Sequence, residues 1–210
     1  IIIVDDGSPN INITNYINFN NVIIVKHFEN YGPGAARNTG IEVALDNFDV
    51  KFISFIDTDC QVDSDWLTIH ENNQMKSGGV YCGQTIGLND DIVSRYHDIM
   101  GTLNGRRIDK GLLCGPSCNM SISREILNDF RFDERFPNAS FEDVEFCVRL
   151  IKNNIVPQYI KEAIIFHDYD NNIKGFYNQF YRYGKSHPLM LQIHPEYHEW
   201  YSVSEEIPVG

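Results

Sequence analysis

Residues 52–60 read FISFIDTDC, an apolar run that stops abruptly at two aspartates. The run predicts a buried strand, and the carboxylates of Asp57 and Asp59 project to one side if the chain stays extended beyond it. Hard oxygen ligands on one side suit Mn²⁺ or Mg²⁺ and, through the metal, a diphosphate. The alternative reading of so short a motif is a pair of acids in a solvated turn.

Similar apolar runs alternate with segments of helical period along the chain, a pattern typical of an α/β domain with a mainly parallel sheet. The first run, residues 1–4, ends at Asp5 and Asp6. Ligands of such sheets bind at the carboxyl ends of the strands. We therefore expect these two carboxylates to face the same pocket as those of Asp57 and Asp59.

A proline close to a first helical turn predicts a helix over residues 33–45, after the stretch NYGPG. Arg37 lies one turn into this helix. Its guanidinium is suited to a phosphate at the rim of the pocket. The alternative is a solvated arginine on the surface, and the sequence by itself favours that alternative.

The clearest helix of the sequence opens at Ser140, because the apolar residues that follow recur at i, i+3, i+4 and i+7. Asp143 lies in its first turn, next to Glu142, and its carboxylate is placed to accept a proton from an attacking hydroxyl group. The alternative is structural, because a serine followed by an acid three residues later is a capping box and acids favour helix N-termini. The helix dipole is expected to lower the pKa of Asp143.

His167 follows the apolar run of residues 156–166, which is expected to return to the sheet. Its imidazole is a candidate further ligand of the metal. The alternative is a partly buried histidine whose ring is satisfied by the protein.

Composition restricts the class of partner. The chain has 210 residues, which fits a single domain, and a formal net charge of -12 at pH 7. Binding to nucleic acid without regard to its sequence needs a surface of Lys and Arg, so we expect no nucleic-acid partner. Any phosphate that so acidic a chain binds is expected to need a divalent cation.

The five cysteines form no CxxC pair and indicate buried free thiols in a reducing compartment. The sequence contains no apolar stretch long enough to span a bilayer and no signal peptide. We therefore expect a cytoplasmic protein without a transmembrane segment, and peripheral use at a membrane stays open.

Four stretches together resemble the inverting family 2 of glycosyltransferases, which has the GT-A fold. They are IIIVDDGS (1–8), NYGPGAARNTGIEVA (30–44), FISFIDTDC (52–60) and FDERFPNASFEDVEFCVRL (132–150). Their order and spacing agree with that family over about residues 1–186. The resemblance implies metal-dependent transfer of a sugar from a nucleotide diphosphate donor, with a UDP-sugar favoured. The acceptor is a hydroxyl group of a glycan, a lipid or another molecule.

The same resemblance implies a role for each candidate residue. Asp6 is expected at the nucleotide base, with Asp5 beside it. The residues expected to bind the donor nucleotide are Asp5, Asp6, Arg37 and Asp57. Those expected to bind Mn²⁺ or Mg²⁺ are Asp57, Asp59 and His167. At the reaction centre, Asp143 is expected to act as general base and Glu142 to contact the acceptor.

The resemblance departs from the family at the start of the chain. Members of the family normally have a further strand and helix before the strand that ends in DDGS, so we expect a hydrophobic sheet edge and an incomplete donor site. The predicted catalytic domain covers residues 1–186, and residues 187–210 form a tail without assignment. Two alternatives stay open: nucleotidyl transfer with release of pyrophosphate, and a truncated or inactive domain that binds nucleotide or glycan without turnover.

Overall fold

The computed structural model describes residues 1–9 and 21–209, which form strands and helices in alternation. The strands are β1 (Ile2–Asp5), β2 (Ile23–Lys26), β3 (Phe52–Ile56), β4 (Cys60–Val62), β5 (Val80–Gly87), β6 (Arg106–Ile108), β7 (Gly111–Cys114), β8 (Asn119–Ser123), β9 (Gln158–His167) and β10 (Glu205–Glu206). The helices are α1 (Pro33–Asn47), α2 (Trp66–Ser77), α3 (Ile92–Met100), α4 (Arg124–Asp129), α5 (Glu142–Lys152), α6 (Ile173–Ile193) and α7 (Tyr197–Val203).

The strands form three sheets in the described part of the chain. The largest has the order β3-β8-β5-β9-β4, a second joins β1 to β2, and a third has the order β10-β6-β7. The pairs β1–β2 and β5–β9 are parallel, whereas the other pairs are antiparallel. The central sheet is therefore mixed, although the sequence predicted a mainly parallel one. Apolar runs do not reveal strand direction, and β8 runs antiparallel to both of its neighbours, β3 and β5, as β4 does to β9.

Strands β1 and β3 both lie at the edge of a sheet among the described residues. β1 pairs with β2 alone and β3 pairs with β8 alone. Helix α1 packs against both β1 and β3. One helix thus packs on an edge strand of the β1–β2 sheet and on an edge strand of the central sheet.

Helix α1 starts at Pro33, as the sequence predicted. Its buried residues include Asn38 and Ile41, which lie on the face turned toward the core. The Asn38 side chain donates to the carbonyl of Phe132 at 3.0 Å and accepts from its N–H at 2.9 Å. These two bonds tie α1 to the segment that leads into α5, and they fix the side of the helix on which Arg37 projects.

Helix α5 begins at Glu142, two residues later than predicted. Phe141 precedes it with a left-handed backbone (φ 69°) and gives no side-chain cap. Ser140 does not cap the helix either, because its hydroxyl donates to the carbonyl of Arg182 at 3.2 Å. The predicted capping box is therefore wrong. The left-handed turn places Glu142 and Asp143 at the very start of the helix.

The C-terminal residues that the sequence left unassigned belong to the packed domain. The expected boundary at Ser186 falls inside α6, which Asn172 caps by accepting from the N–H of Gly175. Met190 and Tyr197 are buried in one cluster with Val148 of α5. Beyond them, β10 pairs with β6. The last residue described is 209.

The cysteines match the expectation of free thiols. Four of them are buried, namely Cys82, Cys114, Cys118 and Cys147, and Cys60 is half-buried. Within the described ranges, no helix has both the length and the apolar character needed to cross a membrane.

Candidate functional site

A cleft of about 730 Å³ opens beside the turn between β3 and β4. Its other walls are the segment before β8, the start of α5, the end of β9 and the first half of α6. Six of the eight residues predicted from the sequence line it, namely Arg37, Asp57, Asp59, Glu142, Asp143 and His167. The remaining two, Asp5 and Asp6, do not.

Arg37 is largely buried in one wall of the cleft and pairs with two carboxylates. Nη2 donates to Asp57 Oδ1 at 2.9 Å, and Nη1 donates to Glu142 Oε1 at 2.8 Å. The side chain is only 11% exposed, so the solvated arginine favoured by the sequence is wrong. Burial opposes the charge, but the carboxylates of Asp57 and Glu142 outweigh it and raise the pKa of Arg37 above its usual value.

Glu142 is buried and both of its carboxylate oxygens are used within the protein. Oε1 accepts from Arg37, and Oε2 accepts from the N–H of Ser140 at 2.8 Å. These contacts hold Arg37 in place and hold the loop before α5 against its first turn. The geometry therefore makes Glu142 a residue that positions Arg37 and the loop.

Asp143 lies beside Glu142 with its carboxylate at the cleft wall. Oδ1 accepts from the N–H of Val144 at 2.8 Å, and Oδ2 accepts from the N–H of Ser117 at 3.3 Å. Most of its surroundings are protein, and the loss of water together with the charge of Glu142 raises the pKa of Asp143 to about 7, against the opposing effect of Arg37. The lowered pKa expected from the helix dipole is wrong, because desolvation exceeds the effect of the helix end.

A second group of polar side chains lies in the same cleft. Asp59, Cys60 and His167 offer one carboxylate oxygen, one sulfur and one ring nitrogen, all within 4.8 Å of one another. His167 Nε2 is 3.6 Å from Asp59 Oδ2. Oxygen and imidazole donors in this arrangement fit a divalent cation. Asp57 is not part of this group, because its carboxylate is bound to Arg37.

Asp5 and Asp6 hold local structure outside the cleft. Hydrogen bonds from Ser8 lower the pKa of Asp5. Asp6 accepts from the N–H groups of Tyr31 and Gly32, at 2.9 and 2.8 Å, and its Oδ1 lies 2.7 Å from the ring of His27. Asp6 thereby fixes the loop that leads into α1, and with it the start of the helix that carries Arg37.

Aromatic side chains that sequence reasoning missed form the far wall of the cleft. Tyr169 stacks between the rings of His97 and His167, with centroids 4.2 and 4.3 Å away. Burial lowers the pKa of His97 to about 4 and raises that of Tyr183 to about 12. No local pattern in the sequence indicates which rings face the cleft.

Comparison with known proteins identifies the family to which the chain is similar. The family model for glycosyl transferase family 2 matches residues 1–131. The pre-mycofactocin glycosyltransferase of Mycobacterium tuberculosis is 25% identical over 93% of this chain and 43% of its own length. EpsH of Bacillus subtilis (strain 168), provisionally named as a glycosyltransferase, is 42% identical over 69% of this chain and 44% of its own length. The chain thus spans less than half the length of these relatives.

Solved structures share the fold at low sequence identity. TarS of S. aureus superposes with a TM-score of 0.57 at 20% identity, over 84% of this chain and 32% of TarS. GalNAc-T7, crystallised with UDP, GalNAc and Mn²⁺, superposes with a TM-score of 0.62 at 13% identity, over 80% of this chain and 37% of GalNAc-T7. At these identities the likeness concerns the fold.

Proposed function

Because the chain belongs to glycosyl transferase family 2, a family of transferases with the GT-A fold, we propose that it is the catalytic domain of an inverting sugar transferase. The donor is a sugar linked to a nucleoside diphosphate, and UDP is the favoured nucleotide. The acceptor is a hydroxyl group of a glycan, a lipid or another molecule. Asp143 acts as the general base.

The observation that carries this proposal is the carboxyl group of Asp143. A general base works best when its pKa is close to the working pH, and the pKa of Asp143 is raised to about 7 in a cleft open to substrate. In the reaction the acceptor O–H gives its proton to Asp143 while its oxygen attacks the anomeric carbon from the face opposite the diphosphate. The bond between that carbon and the diphosphate oxygen breaks, and the configuration at the carbon inverts.

We assign the divalent cation, Mn²⁺ or Mg²⁺, to the group that contains Asp59 and His167. When bound there, it supplies positive charge for the leaving diphosphate. Arg37 does not offer such a charge freely, because it lines the cleft already paired with two carboxylates. Asp57 then acts at the donor through the position of Arg37.

The roles of the remaining candidates follow from their contacts. Arg37 and Asp57 line the cleft and are assigned to the donor side. Asp6 is assigned an indirect role, because it holds the loop before α1. The aromatic wall that includes Tyr183 suits a sugar acceptor, since sugar rings present C–H faces that pack on aromatic rings. Family membership favours this reaction over nucleotidyl transfer.

The test uses the full-length protein with Mn²⁺ and a panel of UDP-sugars, and it measures UDP released with water as the acceptor. We expect Asp143→Asn to reduce release by about 10²–10⁴-fold, the usual contribution of a general base. Calorimetry with UDP and Mn²⁺ is expected to give the same affinity for the variant and the wild type. The matched control is Asp49→Asn, since the side chain of Asp49 is fully exposed and far from the cleft lining.

Three outcomes contradict the proposal. Unchanged UDP release by Asp143→Asn would rule out Asp143 as the general base. Release of pyrophosphate in place of UDP, from nucleoside triphosphate and sugar phosphate, supports nucleotidyl transfer. Metal-dependent UDP binding without any turnover by the wild type supports the domain without activity.

A further inference from the structure

Cys60 lies next to the candidate metal ligands in a position that the backbone fixes. It is the first residue of β4 and pairs with His167, the last residue of β9, in an antiparallel ladder. Directly opposed residues of such a ladder project to the same face of the sheet. The N–H of Asp168 also donates to the carbonyl of Asp59 at 2.8 Å. The backbone thus holds the thiol and the imidazole on the same side, beside the carboxylate.

The side chains of this group are short of partners in the protein. His167 Nδ1 is buried and has no hydrogen-bond partner among the described residues. Cys60 Sγ lies 3.6 Å from Asp59 Oδ1, and the Asp59 carboxylate is about half exposed to the cleft. Donor atoms that are close together and open on one side can take up an ion without first losing strong contacts.

We propose that Cys60 is a ligand of the divalent cation, together with Asp59 and His167. This inference rests on the proposed function, because it concerns the same metal site. A thiolate beside an oxygen and a nitrogen shifts the preference of a site toward borderline-soft ions such as Zn²⁺ and Co²⁺, whereas Mg²⁺ prefers oxygen ligands throughout. The site is therefore one of mixed oxygen, nitrogen and sulfur donors that binds Zn²⁺ and Co²⁺ more tightly than Mg²⁺.

The geometry needs only a small adjustment. Ligand atoms around a tetrahedral zinc are roughly 3.3–3.8 Å apart, given bonds of about 2.0–2.3 Å. The three donor atoms already lie within 4.8 Å of one another. Side-chain rotations that move the donor atoms by about 1 Å bring them to the separation of zinc ligands. Three protein ligands would leave a fourth coordination position for water or a phosphate oxygen.

The competing explanation is that Cys60 is a packing thiol. Its side chain also contacts the buried thiol of Cys118, and both sulfurs belong to the same apolar cluster. A structural thiol of this kind would not touch a metal. Cys118→Ser therefore serves as the matched control, because it changes the neighbouring sulfur and leaves the three donors in place.

The experiment is a Co²⁺ titration of the full-length, reduced protein followed by absorption. A thiolate bound to Co²⁺ gives an intense charge-transfer band in the near ultraviolet. We expect this band in the wild type and in Cys118→Ser, and its loss in Cys60→Ser. By calorimetry, Cys60→Ser should weaken Zn²⁺ binding at least about tenfold, the loss that even changes outside the ligand shell cause, with little effect on Mn²⁺. Thermal unfolding checks that the variants are folded.

The outcomes separate this inference from the proposed function. No band in the wild type, or a band that persists in Cys60→Ser, overturns the role of Cys60, and Mn²⁺-dependent UDP binding in the same sample leaves the proposed function standing. A band that depends on Cys60 in a protein that binds no UDP with any metal supports the ligand set and counts against the proposed function. The isosteric change to serine is joined by Asp59→Asn, which is expected to weaken Co²⁺ binding while keeping the band.

Discussion

Arg37 Nη1 donates a 2.8 Å hydrogen bond to Glu142 Oε1 across 105 positions of sequence. This bond joins α1, which packs on the β1–β2 sheet, to α5, whose second residue is the proposed general base Asp143. Arg37 also binds Asp57 at the end of β3. One side chain thus connects three separate elements at the wall of the cleft, and the removal of its charge is expected to affect all of them.

We expect Arg37→Met to lower the free energy of unfolding by about 3–5 kcal/mol, because Glu142 is left as a buried carboxylate without its cation. Urea unfolding followed by circular dichroism measures the change. The matched control is Arg95→Met, whose guanidinium pairs with Asp90 on the surface and is 66% exposed. An exposed pair contributes less than about 1 kcal/mol. Equal losses for the two variants would show that the contacts of Arg37 do not stabilise the fold.

The pH dependence of UDP-sugar hydrolysis should report the carboxyl group of Asp143. A base must be deprotonated to act, so kcat/KM is expected to fall as the pH decreases through about 7 and to level off above it. The variant Glu142→Gln removes a neighbouring negative charge and so lowers the pKa of Asp143. The acidic limb of the profile, where kcat/KM falls, then moves to lower pH. A limb that moves to higher pH, or a profile that is flat around neutrality, argues against the assignment.

Asp143→Asn is expected to be more stable than the wild type at alkaline pH. The pKa of Asp143 is raised from its ordinary 3.8 to about 7 in the folded protein, so ionisation of this group costs stability as the pH rises between these values. Asparagine cannot ionise, and the stability difference should grow to roughly 4 kcal/mol above pH 7, at about 1.4 kcal/mol per pKa unit. Thermal unfolding at several pH values measures it. Asp49→Asn, at an exposed position, should show no such trend.

The C-terminal segment is expected to contribute to the core. Met190→Ala should cost about 2–5 kcal/mol, because the side chain is fully buried and its loss leaves a cavity. Met75→Ala offers the same chemical change on a side chain that is 57% exposed, with an expected cost below about 0.5 kcal/mol. Urea unfolding compares the two. A small loss for Met190→Ala would mean that the tail docks weakly on the domain.

The features predicted well from the sequence depend on local patterns. Pro33 marks the start of α1 because a fixed φ acts within one turn. The two aspartates after FISFI do follow a strand, and four further predicted residues line the same cleft, namely Arg37, Glu142, Asp143 and His167. The family resemblance drawn from four stretches of sequence is confirmed by the match over residues 1–131.

The features that could not be predicted depend on contacts between distant residues. The burial of Arg37 is set by partners 20 and 105 positions away, and no local pattern carries that information. The pKa of Asp143 follows the amount of water around it, which only the packed structure determines. Strand direction in the central sheet depends on where the chain turns. Cys60 gave a weaker signal, a thiol directly after Asp59, whose meaning appears only when His167 lies opposite.

Helix α5 contributes to the cleft at its start and packs against the C-terminal segment further along. Its first turn carries Glu142 and Asp143 at the cleft, while Val148 packs with Met190 and Tyr197 from the C-terminal segment. If the first part of this chain were joined to the C-terminal segment of a relative, the side of α5 that packs on that segment would face residues that do not fit it. An exchange of the C-terminal segment that is intended to alter acceptor choice therefore has to include α5. The stretch to exchange as one piece runs from α5 to β10.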